Sequence, residues 1–239
     1  MNDPVPAGDI PEFSHLLTLF DEARHDLKIF MNGVVDYLVE HPKLNIPGRE
    51  VVHSFKRRLK DPSHLVQKIK RKQSKEGIIV TPENFFTTIT DLAGARILHL
   101  FQEQFRDIDT IIRKKISDGD WALFERPKAY TWDPENTEFF RAFDLDVSEK
   151  PTSYTSVHYV LMPRQDSTIC CELQVRTLFE EIWGEVDHRI NYPIPTKILA
   201  CSEQIRVLSK LVGAGSRLLD SLHRTTTNGS AELAKEPLN

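Results

Sequence analysis

The run Cys170-Cys171-Glu172-Leu173-Gln174-Val175-Arg176-Thr177 constrains this chain most. It alternates like a strand, with Cys171, Leu173 and Val175 on one face and Glu172, Gln174 and Arg176 on the other. One face is built for a core. The other carries a carboxylate, an amide and a guanidinium in register, which are costly to bury without a partner. Such a face is either solvated or suited to a metal-bound phosphate. In the second case Glu172 serves a cation or a proton, and Arg176 serves phosphate oxygens.

Three further segments carry chemistry. In Arg58-Leu59-Lys60-Asp61-Pro62-Ser63-His64-Leu65-Val66-Gln67-Lys68, Asp61 and Pro62 predict a helix start, with Asp61 as cap and Pro62 at the first helical position. Leu65, Val66 and Ile69 form its apolar face, while His64, Lys68 and Lys72 recur on another. Residues 56–75 hold nine Lys or Arg against one acid in a chain of net charge −4, so this region is an anion site or a solvated basic face. Next, Thr90-Asp91-Leu92-Ala93-Gly94-Ala95-Arg96-Ile97-Leu98 reads as a mostly buried strand with a carboxylate at its entrance. Strict alternation puts Asp91 and Arg96 on opposite faces. Both can reach one ligand if the strand begins after Asp91 or bulges near Gly94. Finally, Lys150-Pro151-Thr152-Ser153-Tyr154-Thr155-Ser156-Val157-His158 turns into a strand with Tyr154, Ser156 and His158 on one face. Tyr154 at its mouth can stack on a base or simply sit at a wet boundary.

In this order the four segments resemble the synthetase domain of the RelA/SpoT family, especially its single-domain small alarmone synthetases. The resemblance covers about residues 51–195 and ends with Trp183, His188 and Tyr192. The family patterns are R-x-K…K on a basic helix, D-[LI]-A-G-x-R, G-Y-x-S-x-H, and E-[IVL]-Q-[IV]-R-T followed by W…H…Y. The resemblance implies an α+β fold, a mixed sheet flanked by helices as in nucleotidyltransferases. It implies Mg²⁺-dependent transfer of pyrophosphate from ATP to the 3′-hydroxyl of GDP or GTP, giving the alarmones ppGpp and pppGpp.

The same resemblance assigns roles. Asp91 is the metal ligand, and Glu172 shares the metal or accepts the hydroxyl proton. Arg58 and Arg96 sandwich adenine, and Lys60 and Lys68 hold the phosphates of ATP. On the acceptor side Lys150 holds phosphates, Tyr154 stacks on guanine, and His158, Gln174 and Arg176 lie beside them. Trp183 and Tyr192 are expected to pack; His188 is left between capping and a site role. The chain departs from the pattern at Ser153, where the family has glycine, so this turn cannot use glycine's freedom at positive φ. Two alternatives remain: another acceptor, such as an adenine nucleotide or a tRNA 3′ end, and a non-catalytic nucleotide-binding regulatory module.

The rest of the chain sets the frame. Its 239 residues, 40% of them apolar, can bury one sizeable core. No apolar run approaches the ~20 residues of a membrane span, and the N-terminus lacks the pattern of a secretory signal. Three cysteines, two adjacent, form no disulfide or zinc framework. A cytoplasmic enzyme with no membrane partner is expected. Residues 1–44 read as an N-terminal helical segment, with Phe13, Leu16, Leu17, Phe20, Leu27 and Phe30 at helical spacing over 11–43 and His41-Pro42 as its stop. The synthetase core spans 45–198. Only about 50 residues precede the resemblance, too few for the metal-binding His-Asp module of the family's long members, so no hydrolase module is expected. Within the core, residues 133–149 hold six acids against one base and read as a solvated loop with a short helix at 137–143. An amphipathic helix follows over 199–224, then a polar tail, 225–239, expected to be disordered. The helix's Leu and Val residues predict a homo-oligomer.

Overall fold

The computed structural model describes residues 12–150, 152–191 and 195–233, with side chains as far as 226. Pro151 and Tyr192 lie outside the described residues, as does the tail beyond 233.

The strand read from Cys171, Leu173 and Val175 is β7 (Cys171–Thr177), and all three side chains are buried. It sits inside a mixed sheet because its neighbours bury the same face. Parallel to it lies β2 (Ala93–His99), contributing Ala93, Ala95 and Ile97. Antiparallel on the other side lies β6 (Ser156–Met162), contributing Val157, Tyr159 and Leu161. The remaining strands are β1 (Ser54–Leu59), β3 (Ala122–Leu123), β4 (Lys128–Thr131) and β5 (Asp146–Glu149). The order is β1-β2-β7-β6-β4-β5, with β3 paired to β6. This is the expected α+β architecture.

Helix α1 (Ser14–Glu40) lays Leu16, Phe20, Leu27, Met31, Val34, Val35 and Leu38 into the core. It stops at His41, whose extended backbone (φ −63°, ψ 125°) is what a following proline demands. The same core takes Phe105, Ile108, Ile111 and Ile112 from α4 (Phe105–Ser117). A fully buried tyrosine hydroxyl needs an acceptor there, and Tyr159 Oη donates to Asp109 Oδ1 at 2.6 Å. Arg113 Nε donates to the other oxygen at 2.8 Å, so this buried carboxylate is matched.

Helix α2 (Pro62–Arg71) starts as its sequence predicts: Asp61 accepts from the Ser63 amide at 2.8 Å and Pro62 opens the helix. It runs on as a π-helical turn, Lys72–Glu76, and closes on Gly77 at φ 67°. The short α3 is Phe85–Thr88.

Two expectations shift. The acidic stretch is not a solvated loop: α5 (Pro134–Arg141) begins three residues before the expected 137 and buries Thr137 and Phe140. Asp133 caps it and is itself buried, paired at 2.6 Å with Arg217 of the last helix. That last helix, α7 (Leu199–Leu233), continues past the expected end at 224. It packs on α6 (Leu178–Asn191), with Trp183 Nε1 donating to Ile205 O at 3.1 Å. No helix among the described residues is long and apolar enough to cross a membrane.

Candidate active site

The polar side of the sheet forms the floor of a cleft. Register sets its rows: Lys56, Arg96, Gln174 and His158 are successive cross-strand partners, and Arg58, Gly94 and Glu172 form the next row. Side chains in such rows are neighbours. Arg58 and Arg96 thus share a face as diagonal neighbours on adjacent strands. Gly94, directly opposite Arg58, adds nothing to the floor between them. The cavity above has a volume of about 720 Å³ and is lined by Arg58, Asp91, Arg96, Tyr154, Glu172, Gln174 and Arg176. This size lies in the range of small-ligand sites. Helix α6 forms a wall with Gly184, Glu185 and His188.

Asp91 reaches this cleft because β2 begins at Ala93, leaving Asp91 in the turn before it. The problem of opposite faces is resolved by that late start, without a bulge. Lys60 Nζ donates to Asp91 Oδ2 at 2.5 Å, and Lys68 Nζ lies 2.7 Å from Oδ1. Burial alone would raise the Asp91 pKa, but the two ammonium groups outweigh it and bring it down to about 2. Burial pulls the Lys60 ammonium below its ordinary value, with Asp91 opposing.

Glu172 is held by two donors. His158 Nδ1 lies 3.3 Å from its Oε1, and Gln174 Nε2 donates to Oε2 at 2.8 Å. Burial pushes its pKa up, and the His158 hydrogen bond and charge, with Gln174, more than offset this, so the net shift is downward. Tyr154 Oη is 2.9 Å from His158 Nε2, giving a chain Tyr154–His158–Glu172. Burial raises the Tyr154 pKa, so its hydroxyl stays protonated.

Lys150 stands apart from the cleft wall. Its ammonium is 4.4 Å from the centroid of the Tyr130 ring, and Tyr130 packs edge-on against His158 at 5.0 Å. Trp183 is buried and packs, as expected. Lys56, Glu181 and Glu185 escaped the sequence reading. Glu181, Gly184, Glu185 and His188 are spaced as one helical stripe, a signal that was available. Lys56 alternates with Arg58, but only the pairing of β1 with β2 makes that alternation visible.

Ser153 is the one non-glycine at positive φ among the described residues, at 59°. Left-handed backbone costs an L-residue ~1–2 kcal/mol. Glycine would remove that strain and lose ~0.5–1 kcal/mol to its freer unfolded chain. Ser153→Gly is therefore expected to stabilise the fold by ~0.5–1 kcal/mol. Its urea midpoint should rise; a lower midpoint would show that the serine side chain stabilises this turn.

The donor set fits a hard divalent cation. Two carboxylates with lowered pKa values, Asp91 and Glu172, line one cleft. A magnesium ion that keeps phosphate and water ligands needs no more protein oxygens than this.

Comparison with known proteins agrees with the residues. Residues 57–197 match the family model described as the region found in RelA / SpoT proteins. GTP pyrophosphokinase YjbM of Bacillus subtilis is 25% identical over 203 residues, covering 80% of each chain. GTP pyrophosphokinase YwaC of the same organism is 23% identical over 154 residues, covering 62% of this chain and 62% of that protein. Among solved structures, small alarmone synthetase 1 of Bacillus subtilis bound to its product pppGpp superposes with a TM-score of 0.62 at 14% identity, covering 91% of this chain and 99% of that one. The same enzyme bound to AMPCPP gives a TM-score of 0.54 at 16% identity, with 91% and 99% covered. The matched region spans the strands, helices and cleft that carry every motif above, and the chain belongs to the RelA/SpoT family.

Proposed function

We propose that the chain is a Mg²⁺-dependent pyrophosphokinase, transferring pyrophosphate from ATP to the 3′-hydroxyl of GDP or GTP, with residues 45–198 as its catalytic core. One observation carries this reading: the ionised carboxylates Asp91 and Glu172 line a single cleft with the pair Arg58 and Arg96 and with Tyr154. Relatives named GTP pyrophosphokinase support it, as do related structures bound to pppGpp and AMPCPP.

In this reading the guanidinium planes of Arg58 and Arg96 enclose adenine. Lys60 and Lys68 sit beside Asp91, where they neutralise phosphate oxygens as well as the carboxylate. Asp91 and Glu172 would hold the metal ion, which when bound supplies charge neutralisation for the phosphates of ATP. Tyr154 stacks on the guanine of the acceptor, with Gln174 and Arg176 beside it and Lys150 as the outer cation. Glu172 takes the proton of the 3′-hydroxyl as the oxygen bonds to the β-phosphorus of ATP. The bond from that phosphorus to the α,β-bridging oxygen breaks, and AMP leaves. His158 orients the base: its Nδ1 lies 3.3 Å from Glu172 Oε1 and its Nε2 lies 2.9 Å from Tyr154 Oη.

The direct test incubates the purified protein with labelled ATP and Mg²⁺ in separate tubes containing GDP, GTP, AMP, ATP or deacylated tRNA. Label is expected in ppGpp and pppGpp. Label in an adenine nucleotide or in tRNA would change the acceptor, and no transfer in any tube would overturn the enzymatic reading. Tyr154→Ala should raise KM for the guanine nucleotide by ~5- to 150-fold, equivalent to ~1–3 kcal/mol of stacking, and leave KM for ATP nearly unchanged. Equal rises for both substrates would make Tyr154 a scaffold residue.

We also infer a homo-oligomer built on α7. Val207, Leu211, Leu218 and Leu222 are exposed along one side, opposite the side on which Ile205 and Val212 are buried. A leucine stripe of this kind is the sort that closed symmetric association covers. Light scattering at micromolar concentration should give a multiple of 27.5 kDa. A monomer mass would end this inference, and an oligomer that survives Leu211→Glu with Leu218→Glu would move the interface elsewhere.

A further inference from the structure

Helix α6 lays one carboxylate between the two halves of the cleft. Glu181 is 4% exposed, and its two oxygens face different partners. Oε1 is 2.7 Å from Lys56 Nζ and 3.1 Å from Arg96 Nη1. Oε2 pairs with Arg176 Nη2. Arg96 lies on β2 and Arg176 on β7, so a single side chain ties a cation of one half to a cation of the other.

Arg176 is not presented as a free phosphate ligand. Its residue is only 3% exposed, and its guanidinium carbon sits 5.7 Å from the centroid of the Tyr154 ring. It lies against α6 at Gly184, where an added Cβ would stand 2.8 Å from Nη1, so the glycine makes the space the guanidinium fills. The guanidinium is thus a strut, fixed by Glu181 at one end and bearing on Tyr154 at the other. On the opposite side, Arg96 is held by Glu181, by Glu185 Oε1 at 3.1 Å and by Gln174 Oε1 at 3.1 Å. Glu185 differs from Glu181 in two ways. It is partly exposed, and its ion pairs among the described residues are with Lys56 and Arg96, not with Arg176.

We propose that Glu181 is a positioning residue that couples the two nucleotide subsites. This rests on the reading that Arg96 faces ATP and Tyr154 faces the guanine nucleotide. A base stacked on Arg96 fixes that guanidinium and with it the Glu181 carboxylate. The fixed carboxylate holds Arg176, and Arg176 holds the ring of Tyr154. The ordering cost met by the first nucleotide is then not met again by the second, which appears as positive coupling between sites. Coupling of this kind is reciprocal, so either order of addition must give the same factor.

Titration calorimetry tests it, with a non-hydrolysable ATP analogue and GDP each bound alone and in the presence of the other. In the wild type each should tighten the other by about fivefold or more. In Glu181→Gln the factor should fall to within about twofold of one. Glu185→Gln should weaken the ATP analogue and keep the wild-type factor, because the path to Arg176 is intact. Removing Glu181 alone leaves Arg176 buried without a counter-charge and can unfold the chain. The paired replacement Glu181→Leu with Arg176→Met removes both charges together and should show the same loss of coupling. A wild type that binds both nucleotides independently overturns the proposal, as does either folded Glu181 variant that keeps the wild-type factor. A wild type that binds neither nucleotide defeats the functional reading itself, and this proposal with it.

Discussion

Glu172→Gln is expected to abolish product formation while ATP still binds. The substitution keeps the shape and removes the charge. Glu172 accepts from His158 and from Gln174, so an amide at 172 places its NH₂ against one of those donors. The local geometry changes little, because one ring rotation or amide flip relieves the conflict. The loss lies in chemistry: an amide neither accepts the hydroxyl proton nor neutralises a cation. Loss of a general base or a charge-stabilising group commonly costs ~10²-fold or more in turnover. In the proposed reading ATP is gripped mainly by Arg58, Arg96, Lys60 and Lys68, so the affinity for an ATP analogue should change by less than about threefold, under ~1 kcal/mol. Single-turnover assays and calorimetry on one preparation make the comparison. A variant that retains a tenth of wild-type turnover removes Glu172 from the chemistry.

The wild-type pH profile bears on the same residue. Its pKa is shifted below the ordinary carboxylate value, so Glu172 is ionised throughout the neutral range. Protonation of Glu172 should therefore impose no acid limb above about pH 4.5.

Much of this site was legible before any fold was known. Cys171, Leu173 and Val175 alternate with Glu172, Gln174 and Arg176, and a sheet that buries one face presents the other. Asp61 with Pro62 marks a helix start on local chemistry alone. Asp133 with Pro134 carries the same signal, yet the acidity of the stretch outweighed it and the helix was expected three residues late. Other features depend on partners distant in sequence. The strand Ser54–Leu59 holds four Lys, Arg or Phe residues in its exposed middle, so no apolar face announces it; pairing with β2 creates it. Glu181 is the clearest case. Its spacing from Glu185 puts it on a helix face, but nothing local says that the face meets Lys56, Arg96 and Arg176. Ser153 shows the reverse. The departure from glycine was visible in the sequence, and the backbone keeps a left-handed turn regardless.

Asp91→Asn should lose activity and stability together, and the two losses have separate origins. The activity loss follows from its place as one of the two carboxylates that line the cleft: an amide is a weaker ligand for a hard cation and leaves Lys60 and Lys68 with no counter-charge. A fall of ~10²-fold or more in turnover is expected. The stability loss follows from burial. Lys60 is 5% exposed and its ammonium donates to Asp91 Oδ2 at 2.5 Å. Breaking a buried pair by removing one partner costs ~3–5 kcal/mol, and the partial exposure of Lys68 and deprotonation of Lys60 should hold the loss near the lower figure. The pH dependence supplies an independent check. Asp91 falls from an ordinary 3.8 to about 2 in the folded chain. A carboxylate lowered in this way contributes stability that is complete above its unfolded pKa and is lost as pH falls toward the folded one. The wild type should therefore lose this contribution between about pH 4 and pH 2, whereas Asp91→Asn should have none to lose there. Urea midpoints at pH 7 and pH 3 decide the point. An equal fall in both proteins would mean that the Lys60–Asp91–Lys68 cluster adds nothing to folding. A turnover loss would then have to be read as chemistry alone.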